Sequence, residues 1–115
     1  GKPIAKLGKN LEVISRARIE IDAMRLMVLQ AAKAMDVLGN KEARVYVSAV
    51  KAMVPEKVCL IIDQAIQMHG ATGISQWSPL ANMYTDMRHL RFADGPDEVH
   101  HMVVGRAEIQ KYDLW

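Results

Sequence analysis

The strongest constraint in this chain is a run of apolar residues that recur at alternating steps of three and four. Ile14, Ala17, Ile21, Met24, Val28, Ala31, Met35 and Leu38 follow one another at that spacing. An α-helix turns once in about 3.6 residues, so these side chains line one face of a helix from about Asn10 to Leu38. A seam that long is the pattern of a bundle core rather than of a helix lying on a membrane. On the other faces Glu12 with Arg16, and Arg18 with Asp22, stand four apart with opposite charge, which supports a solvated helical surface. Gly39-Asn40 ends the pattern in the usual manner of a helix C-terminus.

A second helical pattern spans about Lys41 to His69, with Ala43, Val47, Val50, Val54, Ile61, Ala65 and Met68 as its buried stripe. Pro55 interrupts it and removes the bond to the Lys51 carbonyl. That costs roughly 3 kcal/mol, so the spacing predicts a kink or a break into two helices there. The pattern stops at Gly70-Ala71-Thr72-Gly73. After a loop, Ser78 as N-cap and Pro79 at the first helical position open a third helix with Leu80, Met83, Met87 and Leu90 at core spacing, ending near Phe92. A fourth begins at Pro96 with Gly95 as its N-cap, presents Val99, Met102 or Val103, Ala107 and Ile109 or Gln110, and finishes at Tyr112-Asp113-Leu114-Trp115. Gly1 to Leu7 reads as an extended lead-in, because Pro3 keeps Lys2 out of the helical region. With four helical segments and no strand period, the chain is expected to be an all-α helical bundle, a single domain over 1–115.

Composition narrows the function classes. Half the residues are hydrophobic and the net charge is only +2, so no field for nucleic acid or an acidic membrane follows. The basic residues Arg16, Arg18, Arg25, Lys33, Lys41 and Arg44 are interspersed with acids. The longest apolar run, Val58 to Ile62, is far too short to span a bilayer. No secretory signal is present, and Gly1 in place of Met points to a fragment. The eight Met read as filler of irregular helical cores. The single Cys59 excludes an internal disulfide and, mid-helix in an apolar run, reads as an inert core thiol. His89, His100 and His101 stand near Asp94, Asp97 and Glu98. Adjacent histidines on a helix point about 100° apart, however, and no His-Glu-x-x-His spacing exists, so no metal site is expected. Hydrolase and nucleotide-loop signatures are also missing.

Two corners remain. In Asp94-Gly95-Pro96-Asp97-Glu98-Val99-His100 a carboxylate precedes a helix N-terminus, where it faces unpaired N–H groups and the positive end of the macrodipole. That suits a catalytic base, although on local sequence alone an acid in this place is more often an ordinary turn-forming Asp. The Gly70 to Gly73 corner is either a helix C-cap or a place where the backbone meets something closely.

Taken together, Gln67-Met68-His69-Gly70-Ala71-Thr72-Gly73, a Pro-started short helix holding Asp86, and Asp94-Gly95 opening the last helix resemble the C-terminal part of flavin-dependent acyl-CoA dehydrogenases. The resemblance covers the whole chain, from Gly1-Lys2-Pro3 onward. The Asp-Gly-Pro-Asp-Glu-Val-His form of the last motif resembles the branch holding vertebrate members ten and eleven. It implies a bundle whose first helix precedes Gly1, in an FAD enzyme of fatty acid β-oxidation that takes the α and β hydrogens from an acyl-CoA. Asp94 matches the family's usual catalytic Glu. In the substrate-binding turn Asp94-Gly95 a backbone N–H, with a flavin ribityl hydroxyl, would polarise the thioester carbonyl. Gln67, Gly70, Ala71, Thr72 and Gly73 match the stretch that lies against the ADP part of FAD bound mainly by a neighbouring subunit.

The resemblance also implies a homo-oligomer, dimer or tetramer, with electron-transfer flavoprotein or a similar acceptor as partner, and a mitochondrial location, alternatively peroxisomal. The chain departs from the family pattern at several points. Asp94 is a methylene shorter than Glu, Ala93 replaces a Tyr, Pro96 a Thr, Ala71 a second glycine, and Thr85 an Arg. By itself the chain is expected to be inactive and, with an uncovered seam, to self-associate. The alternative function is a non-catalytic helical assembly module.

Overall fold

The computed structural model describes residues 1–113. In order it contains a 3₁₀ turn at Ile4–Lys6, then α1 (Asn10–His69), α2 (Ala71–Ile74), α3 (Leu80–His89) and α4 (Asp97–Gln110), with no strand among the described residues. The expected all-α bundle is therefore what forms. Leu114 and Trp115, where the fourth helix was expected to finish, lie outside the described residues.

The helix α1 is two helices joined at Gly39, which adopts φ 82°, ψ 170°. Nothing lies within 4 Å of where a Cβ would sit, so glycine is needed there for its conformation alone. The arms 10–38 and 40–69 fold back side by side. Lys57 Nζ comes within 3.7 Å of Glu20 Oε1, and Ile14, Ala17 and Ile21 share a cleft with Ile61, Ala65 and Met68. The two expected stripes thus face each other across the hairpin.

At Pro55 the expected break into two helices does not occur. Gly39 is the only position in α1 with non-helical dihedrals, and the chain runs through Pro55 without breaking. The proline is buried on a face that the periodicity reading passed over, formed by Ser48, Ala52, Pro55, Cys59 and Ile62. These residues step by four and three, and α3 and α4 pack on α1. Packing over the ring offsets its missing N–H. Running antiparallel to the second arm, α4 has His100 at the level of Ser48, and Ala107 and Gln110 at that of Arg44 and Lys41.

Smaller expectations divide. Leu80 N–H donates to Ser78 Oγ at 3.2 Å and Pro79 has helical dihedrals, as the Ser-Pro start requires. Glu12–Arg16 and Arg18–Asp22 form their exposed pairs. The lead-in is not fully extended, because Asn10 Nδ2 donates to the Ile4 carbonyl at 2.8 Å and winds the segment into its 3₁₀ turn. The Gly70 corner is more than a loop, since α2 starts directly after it.

Much apolar surface stays open. Met24 and Ala31 of the first seam are buried, but Ile14, Val28, Met35 and Leu38 remain more than a third exposed. On another face of the first arm Leu11, Ile19, Leu26, Leu29 and Val37 are 58–69% exposed. At 100° per residue they fall within about 80° of one another, on an uncovered face that they share with the exposed Ser15, Asp22 and Lys33. Among the described residues no helix is long and apolar enough to cross a membrane.

Candidate functional site

The corner between α3 and α4 is built from a local conformation and a set of distant supports. Asp94 has φ 55° and Gly95 φ 116°, two successive residues in the left-handed half of the map. Asp is among the few residues with a Cβ that adopt this conformation at modest cost, and Gly adopts it freely. Pro96 then has ψ 162°, so it is the N-cap and Asp97 the first helical residue. The expected register, Gly95 as cap with Pro96 in the first turn, is corrected by one residue. The cause is closure of the corner: Asp97 N–H reaches back to the Arg91 carbonyl at 3.0 Å.

The same two residues are joined a second time, through Arg91 Nε donating to Asp97 Oδ2 at 2.7 Å. Asp97 is only 6% exposed. Its hydrogen bond holds the Arg91 guanidinium more firmly protonated than a free arginine. From the second arm of α1, Lys51 Nζ donates to the carbonyls of Leu90 and Gly95, on either side of the turn. Under the turn, a Cβ on Gly95 would sit 3.1 Å from His100 Nε2, and His100 Nδ1 lies 3.5 Å from Ser48 Oγ. His100 Nε2 and Asp97 Oδ1 are buried without partners.

On this frame Asp94 itself is exposed, and its carboxylate has no partner among the described residues. The N–H groups of Asp94 and Gly95 donate to no carbonyl either. The turn therefore presents an unspent carboxylate beside unspent N–H donors.

The second corner lies at the far end of the arm, Gly70 being roughly 30 Å from Lys51 along the helix. Its two glycines serve different ends. Gly70 adopts φ 61°, ψ −143°, donates its N–H to the Gln67 carbonyl at 3.2 Å, and faces open space. Gly73 is buried, and a Cβ there would stand 2.5 Å from the Ile66 carbonyl oxygen. The missing side chain of Gly73 thus serves the chain's own packing, while the outward surface belongs to Gln67, Gly70, Ala71 and Thr72. All four are exposed, and neither the Gln67 amide nor the Thr72 hydroxyl has a partner.

Cys59 is buried, and burial pushes its thiol up from the ordinary value, with Arg91 and Arg88 opposing. No group of three or more His, Cys, Asp or Glu that could hold a metal occurs among the described residues. Sequence reading missed Lys51, Ser48 and Arg91. The signal for Lys51 was present, as a lysine three residues after Ser48 and four before Pro55, next to the small residue Ala52.

A long two-armed helix carrying two shorter helices, with an acidic turn before the last of them, defines a bundle of the acyl-CoA dehydrogenase type. The family described as acyl-CoA dehydrogenase, C-terminal domain, matches residues 1–109, and the chain belongs to it. Acyl-CoA dehydrogenase family member 10 of Mus musculus is 47% identical over 110 residues, 96% of this chain and 10% of its own length. Probable acyl-CoA dehydrogenase FadE2 of Mycobacterium tuberculosis is 46% identical over 111 residues, 96% of this chain and 27% of its own length. A solved structure from Mycobacterium abscessus, assigned to the acyl-CoA dehydrogenases, superposes with a TM-score of 0.93 at 48% identity, over 97% of this chain and 28% of that one. The chain thus spans about a quarter or less of the relatives it matches.

Proposed function

We propose that the chain is the base-bearing bundle of a longer FAD-dependent acyl-CoA dehydrogenase, which takes one hydrogen from the α and one from the β carbon of an acyl-CoA in fatty acid β-oxidation. The observation that carries this reading is the Asp94 carboxylate, exposed and unpaired on a turn whose flanks are bonded from several directions. A general base needs an ionised group whose lone pairs are not already committed. Asp94 would remove the α proton, while the free N–H groups of Asp94 and Gly95 donate to the thioester carbonyl oxygen and stabilise the charge that develops on it. Asp is shorter than the Glu usual in the family, and it suits the positive φ of this turn.

The residues of the other corner fit FAD. Gln67 and Thr72 offer unpaired polar groups beside Gly70, where no side chain stands in the way, and Ala71 keeps the surface low. Gly73 takes part only by letting the turn close. When bound, FAD supplies the acceptor for the β hydride. The roughly 30 Å between corners favours an arrangement in which the Gly70 turn of one copy adjoins the cofactor of another. A homo-oligomer, dimer or tetramer, would also cover the Leu11 to Val37 stripe. Those five side chains contribute roughly 5 to 10 kcal/mol if buried, before the entropy of association. Electron-transfer flavoprotein or a similar acceptor would remove the electrons, in a mitochondrion or alternatively a peroxisome.

The full polypeptide carrying this chain should purify yellow and reduce an electron acceptor when given a long acyl-CoA. Asp94→Asn should abolish reduction with flavin still bound, and an unchanged rate in that variant overturns the assignment of the base. The open apolar stripe favours a second reading, a non-catalytic assembly module. A colourless, inactive oligomer would establish it.

A further inference from the structure

Lys51 is a cation with no carboxylate in contact, held partly buried on the second arm of α1. Lysines in such places normally pair with an acid or reach solvent. This ammonium instead donates to two backbone carbonyls that flank the acidic turn. The Leu90 carbonyl lies at the C-terminal end of α3, where carbonyls lack helical partners and the macrodipole favours a cation. The Gly95 carbonyl lies on the other side of the turn, immediately after Asp94. Arg91 and Asp97 close the base of the corner with two bonds of their own, yet neither touches the Gly95 peptide. Of the groups that bond to the corner, Lys51 alone spans from the end of one helix to the peptide beside the carboxylate.

We propose that Lys51 is a positioning residue for the dehydrogenation, a brace that fixes where the turn holds the Asp94 carboxylate. This rests on Asp94 being the base. Gly95 has no side chain to restrict its dihedrals, so without the brace on the Gly95–Pro96 peptide the turn is free to rotate about Gly95 and carry the Asp94 carboxylate with it. A displacement of about 1 Å between base and reacting atom can cost a hundredfold in rate. The brace acts on the backbone that carries both the carboxylate and the N–H donors, so its loss falls on proton removal and on the charge developing at the thioester oxygen, while acyl-CoA and flavin contacts made outside the turn stay as they are.

The test uses the full flavoprotein with Lys51→Met, which keeps the stem and removes the donors, and Lys51→Arg, which keeps charge and donors. In Lys51→Met, flavin reduction at saturating acyl-CoA should slow about thirtyfold, with bound FAD unchanged and substrate affinity within about twofold. The isotope effect from an α-deuterated substrate should rise, and amide exchange over residues 92–97 should accelerate. Lys51→Arg should recover much of the rate and of the protection. A wild-type rate in Lys51→Met overturns the proposal, as does a rate loss matched by equal loss of FAD or substrate affinity, which marks a merely structural lysine. If Lys51→Met does not fold, Lys51→Arg decides, because a lowered rate with wild-type exchange over 92–97 overturns the brace. Asp94→Asn run in parallel separates the two claims. An unchanged rate there removes the base and the catalytic part of this proposal, whereas unchanged exchange in Lys51→Met removes the brace alone.

Discussion

Both corners of this molecule place a glycine at positive φ after a helix, yet they are stabilised from opposite directions. The Gly70 corner is closed by its own neighbours. Gly70 bonds to Gln67, Gly73 to Gly70, Ser75 Oγ to the Thr72 carbonyl, and Gly73 presses against Ile66 seven residues back. The Asp94 corner draws on residues far away in the chain, with Lys51 reaching it across 44 positions and Ser48 meeting His100 across 52. A locally closed turn is rigid wherever its helix goes and leaves its outer surface free. A turn closed by tertiary contacts is aimed by the packing of other elements, and that is the demand a base makes.

The largest effect expected from this contrast is at Asp94. Asp94→Asn should slow flavin reduction about a thousandfold, within the range for loss of a general base, with an unchanged melting transition. Stopped-flow reduction and calorimetry together check it. Next come the glycines of the other corner. Gly73→Ala should destabilise by about 3 kcal/mol, because backbone at 2.5 Å cannot yield. Gly70→Ala, in open space, should cost less, about 1 to 2 kcal/mol, from its positive-φ backbone conformation alone. Denaturant melts that rank these two the other way would break the picture of a corner closed by close approach.

A smaller, regional effect should follow Asp97→Asn, which weakens the bond to Arg91. Amide exchange at 91–97 should speed up about tenfold while residues 70–75 keep their protection, as loss of a charge-assisted hydrogen bond implies. Equal loosening of both corners would mean that they are coupled. The smallest effect concerns Cys59, which senses Arg91, Arg88 and Asp97. Its thiol is raised by burial above the free value of 9.0, so the folded state holds that proton longer than the unfolded one. Its contribution to stability is complete below pH 9.0 and is lost as the pH rises toward the higher folded value, a slope that Cys59→Ala should remove. Thiol labelling should be slow in the native protein and faster in Asp97→Asn, with no change in Gly70→Ala.

Legibility in the sequence followed the range of the interactions. The first seam, the Gly39 reversal, the Ser78-Pro79 start and the Glu12–Arg16 pair were all readable, because each depends on residues within four or five positions. The acidic turn was found for the same reason. Its register was missed by one residue, because Pro96 has the same φ in a helix and in an extended strand, and only the Asp97 bond to Arg91 decides between them. Pro55 was misread because propensity counts the lost hydrogen bond and not the packing over the ring. The exposed stripe of the first arm went unread, since periodicity marks an apolar face without saying what covers it.

The sequence by itself determined that helices form, roughly where the long ones run, and that an acid and a glycine meet at the last corner, since these are matters of backbone preference and helical period. Only the tertiary structure decided that Asp97 is buried on Arg91 while Asp94 stays free, and that a lysine from another helix grips both sides of the turn. A long flexible side chain has many carbonyls within its reach, and the packing of α3 and α4 on the second arm selects the two it finds.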